Sequence, residues 1–445
     1  MEIILIIFSA LLLIIVATVK FKVHPVFSLI IVSIIVGFLF GFDSKLIIAS
    51  ISEGFGKTLS SIGLIIAFGT TIGIFLEENG GTKVIADKIL SRIPVKRSPL
   101  AINIIGFIIS IPVFCDSGFV ILSSLNKALT KKTGIPLVVF AVALSTGLYA
   151  AHVFIPPTPG PLAAAAIIEA DLGLVMILGF VVAIPVSFTG YLWASYIGKK
   201  IKVDKNLNED NDKLEEQKIS KQKSKFFLVM LPLLLPIVLI ALKSIAEYPT
   251  QPFGKEWVFD VLVFIGEPMI ALLIGVLLVF VSSSKVKSST KNKWVLRSLK
   301  ESGSIILVTG AGGAFGNVLR ASDIGSIINP ESSFVVSGLL IAFILSALLK
   351  TAQGSSTVAI ITAAAIIAPL LGSFGLETEF EKALSVLAIG AGAMTVSHIN
   401  DSYFWVVSQF SNLNVNSALK SHTVATFFQG IIGILIVLVL QFFLT

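Results

Sequence analysis

Apolar residues fill this chain in long runs, and most of its charged residues lie in the segments between them. A helix needs about 20 apolar residues to cross a bilayer. The pattern therefore predicts spans at Ile3–Val19, Val26–Phe42, Leu59–Leu76, Leu174–Ile197, Phe226–Leu242, Val258–Val281, Ser304–Leu319 and Thr423–Leu444. Four further apolar stretches carry polar or Pro-rich interruptions and need a different reading.

Charge decides two of them, because cytoplasmic loops gather Lys and Arg. The run Leu100–Leu125 follows Lys83, Lys88, Arg92, Lys96 and Arg97 and precedes Lys127, Lys131 and Lys132. Both flanks are cationic, so the run enters and leaves by one face. The spacing predicts a re-entrant hairpin whose tip is IPVFCDSGF (Ile111–Phe119), with Asp116, Ser117 and Gly118 close to it. The stretch Phe334–Leu371 has acids on both sides (Asp323 and Glu331, then Glu377, Glu379 and Glu381) and predicts a second hairpin from the opposite face, turning at KTAQGSST (Lys350–Thr357).

The other two are broken spans. Leu137–Ile168 is cut by PPTPGP (Pro156–Pro161), whose rings remove donors and clash with the preceding turn. Leu384–Val407 is cut by SHINDS (Ser397–Ser402). A broken helix at membrane depth is tolerated only against protein or a water-filled cavity. The two halves thus share one order of elements in opposite orientations, and GTTIGIFLEENGG (Gly69–Gly81) resembles GGAFGNVLRASDIG (Gly312–Gly325). The expected fold is an all-α polytopic membrane protein, an inverted repeat in which each half has a re-entrant hairpin and a broken transmembrane helix. The halves are residues 1–198 and 226–445. Between them, residues 199–225 hold nine lysines and six acids without apolar period and read as a cytoplasmic linker.

Composition agrees: 55% of residues are hydrophobic and 13% charged, against about 25% charged in soluble proteins. The net charge of +7 sits in loops, where it reports orientation and not nucleic-acid binding. The single cysteine, Cys115, excludes an internal disulfide. Glu2 before the first run and Lys20 and Lys22 after it reverse a signal peptide's charge order, so that run is read as a retained span with the N-terminus outside. The C-terminus is expected outside as well.

Inverted repeats with discontinuous helices meeting near the midplane are the usual build of secondary transporters. Half-helix ends present unpaired N–H groups suited to a carboxylate. Around them, Ser117, Gly118, Thr158, Gly160, Gln353, Gly354, Ser355, Ser356, Thr357 and Asn400 are the candidate substrate-binding residues, although Ser, Thr and Gly also serve simply to pack and satisfy a break. Ionisable groups at depth are costly and mark function. Asp116, His152, His398 and Asp401 are therefore the candidates for proton coupling, each histidine having the alternative of bonding freed backbone. Arg320 and Lys350 read as snorkelling residues outside the site, and Asn317 as a weak candidate. No cofactor or metal is expected. An intramembrane aspartyl enzyme using Asp116 and Asp401 is the rival from another class, but HExxH, Gly-x-Ser-x-Gly and Cys-cluster signatures are missing. Sodium coupling stays open, since unwound carbonyls also suit Na⁺.

Five stretches, Glu53–Gly81, Ile111–Leu122 (IPVFCDSGFVIL), His152–Ala165 (HVFIPPTPGPLAAA), Thr351–Ala364 (TAQGSSTVAIITAA) and Ser397–Val407 (SHINDSYFWVV), resemble the gluconate permease family of proton symporters in the ion transporter superfamily. The resemblance implies inner-membrane, proton-coupled uptake of a sugar acid such as gluconate, with a mobile transport domain and an oligomeric scaffold. It departs at Thr158, where the family loop reads PPHPGP. That change leaves glycerate, D-serine or another sugar acid open as substrate.

Overall fold

The computed structural model describes residues 6, 9, 10, 12–14, 16–92, 94–198, 200–201, 226–247, 256–322 and 334–444. Every regular element among them is helical, and six helices are long and apolar enough to cross a bilayer, or seven if one bent pair counts as a span. Of the first predicted span, residues 6, 9, 10, 12–14 and 16–19 are described and helical, ending in a π-helical turn at Val16–Lys20; the charged linker lies outside the described residues apart from Lys200 and Ile201.

The helices are α1 (Pro25–Leu39), α2 (Ser44–Glu78), α3 (Gly81–Leu90), α4 (Ser98–Ser110), α5 (Cys115–Thr133), α6 (Leu137–Phe154), α7 (Pro159–Ile168) and α8 (Leu172–Ile197). After the linker come α9 (Phe226–Ala246), α10 (Trp257–Gly266), α11 (Pro268–Ser282), α12 (Ser288–Arg320), α13 (Phe334–Gln353), α14 (Ser356–Ile367), α15 (Glu379–Met394), α16 (Ser402–Phe410) and α17 (Val424–Leu444), the last preceded by a short turn of helix at Val415–Ala418 and a π-helical turn at Leu419–Thr423.

Two predicted spans are far longer than their apolar cores. The helix expected at Leu59–Leu76 begins at Ser44, capped by Asp43, whose carboxylate accepts from Leu46 N at 2.7 Å. The one expected at Ser304–Leu319 begins at Ser288. Their polar segments remain helical because α2 and α12 pack along each other, with Gly54 against the backbone of Gly313. Towards the other end, Arg297 reaches Glu77 at 3.0 Å and Glu301 at 2.8 Å, and also pairs with Glu78 at 2.5 Å. The likeness between GTTIG and GGAFG also has a packing cause. A Cβ on Gly73 would lie 2.0 Å from Pro112 O at the first hairpin tip, and one on Gly316 would lie 3.2 Å from Ala365 O in α14. Small residues let each long helix touch a hairpin.

Helix–turn–helix pairs stand at both predicted hairpin positions, with sharper turns than expected. The first turns at Ile111–Phe114, so Asp116, Ser117 and Gly118 stand in the opening turn of α5 and not in the loop itself. The second turns at Gly354 and Ser355 alone, because Lys350–Gln353 finish α13 and Ser356 already starts α14. The first broken helix stops at Phe154 and resumes at Pro159, where a proline costs nothing because the first turn lacks N–H partners in any case. The second stops at Met394 and resumes at Ser402, with Asp401 as N-cap. Val258–Val281, expected as one span, is two helices bent by 68° at Glu267. Pro268 cannot continue α10, and the Glu267 carboxylate pairs with Lys243 at 2.7 Å.

The same partners recur in each half: α4 packs on α6 and α13 on α15, then α6 on α8 and α15 on α17. In the first half Asn103 fastens three of these together. Its amide nitrogen donates to Ala143 O at 2.9 Å and Ser187 O at 3.3 Å, and its Oδ1 accepts from Ser187 Oγ at 2.9 Å. Hairpin arm α4, half-helix α6 and closing helix α8 are held as one body by this satisfied buried amide.

Candidate functional site

The four interruptions meet inside the protein. Gly354, with φ of +73°, lies so close to the second break that a Cβ there would sit 1.9 Å from Asn400 O. Gly160 packs on Ile360 in the first turns of α14, and the Phe114 and His152 rings are 6.2 Å apart. Hairpin tips and helix breaks therefore wall one polar region, as the sequence pattern requires.

At its centre is an ion pair. Lys350 Nζ, in the last turn of α13, lies 2.5 Å from Asp401 Oδ2, and the two residues are 1% and 4% exposed. Each charge suits its helix end, the cation at a C-terminus and the carboxylate at an N-terminus. Asp401 Oδ1 accepts from Tyr403 N at 3.1 Å, while Oδ2 also accepts from Ser397 Oγ. Lys350 was expected at an interface; instead its four-carbon stem carries the ammonium into the core, 5.8 Å from the Tyr149 ring. A buried pair contributes little net stability and is a poor choice for structure alone, so its presence here points to function.

Asp116 lies within electrostatic range of both Asp401 and Lys350, and so does His152. Asp116 Oδ1, His152 Nδ1 and both amide atoms of Gln353 have no hydrogen-bond partner among the described residues, and Lys350 Nζ has none besides its ion pair. These atoms are free to hold a bound molecule. Tyr149 and Tyr403, rings 5.2 Å apart, close the region, and their hydroxyls donate to Ala393 O at 3.2 Å and Ser145 O at 3.0 Å.

Several predicted residues hold backbone instead. Thr158 Oγ1 donates to Ile155 O at 2.5 Å, satisfying the break it stands in. Ser355 caps α14 by accepting from Val358 N at 3.4 Å. Asn400 Nδ2 donates to Ala352 O at 2.7 Å and so ties the second break to the end of α13, and His398 Nδ1 accepts from Asn400 N at 3.2 Å within the same turn. Gly118 packs against Leu148. Ser117 and Thr357 are half-buried at the edge of the region, and Ser356 is buried beside the Tyr149 hydroxyl.

Sequence reasoning missed His422. It is fully buried in the π-helical turn before α17, with Nδ1 3.1 Å from Ser145 Oγ and Nε2 3.2 Å from Ser397 Oγ. Its signal was a histidine opening the closing span, next to nothing else unusual; only the fold brings it to Asp401. Arg320 lies elsewhere. With Lys57 and Glu169 it lines a cavity of about 60 Å³ between α2, α12 and the end of α7, with Lys57 at 2.7 Å and Arg320 at 3.4 Å from Glu169 Oε1. The hydrogen bond from Lys57, with Arg320 alongside, holds the Glu169 carboxyl below the usual carboxylate range. Asn317, in the same cavity, donates to Ser50 O at 2.9 Å.

The chain is 30% identical over 430 residues to a gluconate permease of Pseudomonas aeruginosa, covering 95% of this chain and 94% of that one. It is 32% identical to the high-affinity gluconate transporter of Escherichia coli over 91% of each chain, and 31% identical to the Gnt-II system L-idonate transporter of the same organism over 96% and 97%. Among solved structures, the YdaH transporter of Alcanivorax borkumensis, described as having an unusual topology, shares the fold with a TM-score of 0.60 at 14% identity over 90% of each chain. Residues 1–443 match the family described as GntP family permease, and the chain is therefore a multi-pass membrane transporter of that family and not an enzyme.

Proposed function

We propose that this permease carries gluconate or a closely related sugar acid across the bacterial inner membrane together with a proton. The observation that carries the reading is the buried Lys350–Asp401 pair with Asp116 beside it. Two ionised carboxylates and one ammonium give the site a formal charge of −1. A carboxylate substrate entering alone would add a second uncompensated negative charge at low dielectric, which is costly. One proton arriving with it leaves the charge unchanged. Lys350 receives the substrate carboxylate, and Asp116 or Asp401 takes the proton.

Gln353, one turn beyond Lys350, offers its unpaired amide to the substrate hydroxyls, with Ser117, Ser356 and Thr357 at the rim. Thr158, Gly160, Gly354, Ser355 and Asn400 shape the walls through the backbone. His152 takes part through its free Nδ1, while His398 serves the turn. The names of the relatives favour a sugar acid over glycerate or D-serine. The repeated order and pairing of helices supports two inverted halves at 1–198 and 226–445. The charge pattern supports both termini outside, and the family resemblance an oligomeric scaffold around a moving transport body.

The test is uptake of labelled gluconate by proteoliposomes under an imposed acid-outside gradient, competed by idonate, glycerate and D-serine, with and without sodium. Accumulation driven by the pH difference alone, and competed by idonate, is expected. Accumulation that needs sodium, or competition by D-serine only, would overturn the reading.

A further inference from the structure

The buried chain Asp401–Ser397–His422–Ser145 has two complete donor assignments, one for each protonation state of Asp401. Its links are Ser397 Oγ to Asp401 Oδ2, His422 Nε2 to Ser397 Oγ at 3.2 Å and His422 Nδ1 to Ser145 Oγ at 3.1 Å. A further acceptor, Val142 O, lies 3.0 Å beyond Ser145 Oγ. A hydroxyl has one proton and accepts freely, and a neutral imidazole donates from one nitrogen while accepting at the other.

With Asp401 ionised, Ser397 donates to its carboxylate, His422 Nε2–H donates to Ser397 Oγ, and Ser145 donates to Nδ1. With Asp401 protonated, every arrow reverses. The Asp401 O–H donates to Ser397 Oγ, Ser397 donates to Nε2, Nδ1–H donates to Ser145 Oγ, and Ser145 turns to Val142 O. The second state holds one proton more than the first, the one on Asp401; the imidazole keeps a single proton throughout and only changes tautomer. Neither state leaves a polar atom of the chain unpaired.

We infer that His422 is a positioning residue for coupling, a tautomeric switch that lets Asp401 exchange a proton at depth without orphaning a buried partner. This rests on the proposed proton coupling. When a substrate carboxylate takes over Lys350, Asp401 loses its counter-ion, and the reversal of the chain lets it become neutral. The groups facing Asp401 are Lys350 of α13, Asp116 and Cys115 of α5, Tyr149 and His152 of α6 and Tyr403 of α16. His422 itself faces Asp401, Lys350 and the Tyr403 ring at 5.4 Å.

The test is ¹⁵N NMR of the four histidines in the full chain in nanodiscs, with the His422 signals assigned by loss in His422→Gln. At alkaline pH without substrate, His422 is expected as the Nε2–H tautomer. It changes to Nδ1–H at acid pH with saturating gluconate, and in Asp401→Asn, a mimic of the neutral acid, it is Nδ1–H at every pH. The milder variant Ser397→Ala keeps the packing and cuts the link to Asp401. It should freeze the tautomer and lower proton-driven uptake roughly tenfold or more, the scale of a hydrogen bond to a charged group. A single tautomer in all conditions, or an imidazolium, overturns the inference even if uptake is proton-driven. A tautomer change following Asp401 in a protein whose uptake ignores the pH gradient supports the switch and defeats only the coupling reading.

Discussion

Lys350→Ala is expected to abolish uptake and to destabilise the protein by about 3–5 kcal/mol, the cost of leaving a buried carboxylate without its partner. Asp401 is 4% exposed and has no other cation beside it among the described residues, so only the hydrogen bonds from Ser397 and Tyr403 N remain to stabilise its charge. Lys350→Ala/Asp401→Ala removes both charges and should recover most of the stability, since a neutral pair costs far less to bury, but not transport. Thermal unfolding in detergent and uptake in proteoliposomes read the two effects separately. A Lys350→Ala protein with the wild-type transition and wild-type uptake would mean that the pair is incidental.

Gly354→Ala carries the second large effect. At φ of +73° an L-residue is strained by about 1–2 kcal/mol, and the added methyl carbon would stand 1.9 Å from Asn400 O. The atom it meets is the Asn400 backbone carbonyl, so no flexible side chain can swing aside. The second hairpin and the second break must then separate by more than an ångström, which displaces Lys350 from Asp401. A misplacement of that size costs on the order of 10²-fold in rate at a site that depends on orientation. Uptake should fall by about that factor while the protein remains inserted in the membrane. Gly41→Ala, also at positive φ but with open space around its Cβ position, is the control for strain alone.

Much of this architecture was legible in the chain because a membrane restricts what backbone can do. Hydropathy located all six helices long and apolar enough to cross, although the run Val26–Phe42 forms a helix of only 15 residues, and cations on both sides of Leu100–Leu125 argued that this run turns back. PPTPGP and SHINDS could mark only helix breaks, and both are breaks. What hydropathy misjudged is polar sequence that packs on protein. The segment Ser44–Thr58 is interrupted by Ser50, Ser52, Glu53 and Lys57 and does not read as a continuous apolar run, yet it is helical because α12 runs alongside it. The same blindness hid the bend at Glu267, which a Gly-Glu-Pro sequence inside a continuous apolar run does not announce.

The site divides in the same way. Asp116 and Asp401 stood out because carboxylates at depth are rare, and the fold brings them within reach of one another. Lys350 was discounted because a lysine at the end of an apolar run normally reaches for the headgroups; the direction of its side chain depends on the tertiary position of Asp401, 51 residues away. Thr158 and Asn400 are polar residues in breaks, and in the structure their hydrogen bonds go to backbone carbonyls there. His422 and Ser397 matter only through a contact across 25 residues that no local pattern encodes.

On the proposed reading one proton enters the site with each substrate carboxylate, because Lys350 and Asp401 part company when it binds. Calorimetric titration of the purified full chain with gluconate, repeated in buffers of different ionisation enthalpy, counts that proton directly. Uptake of close to one proton per gluconate bound is expected near neutral pH, falling towards zero in Asp116→Asn/Asp401→Asn. Binding of gluconate with no proton taken up by the wild-type protein would contradict it.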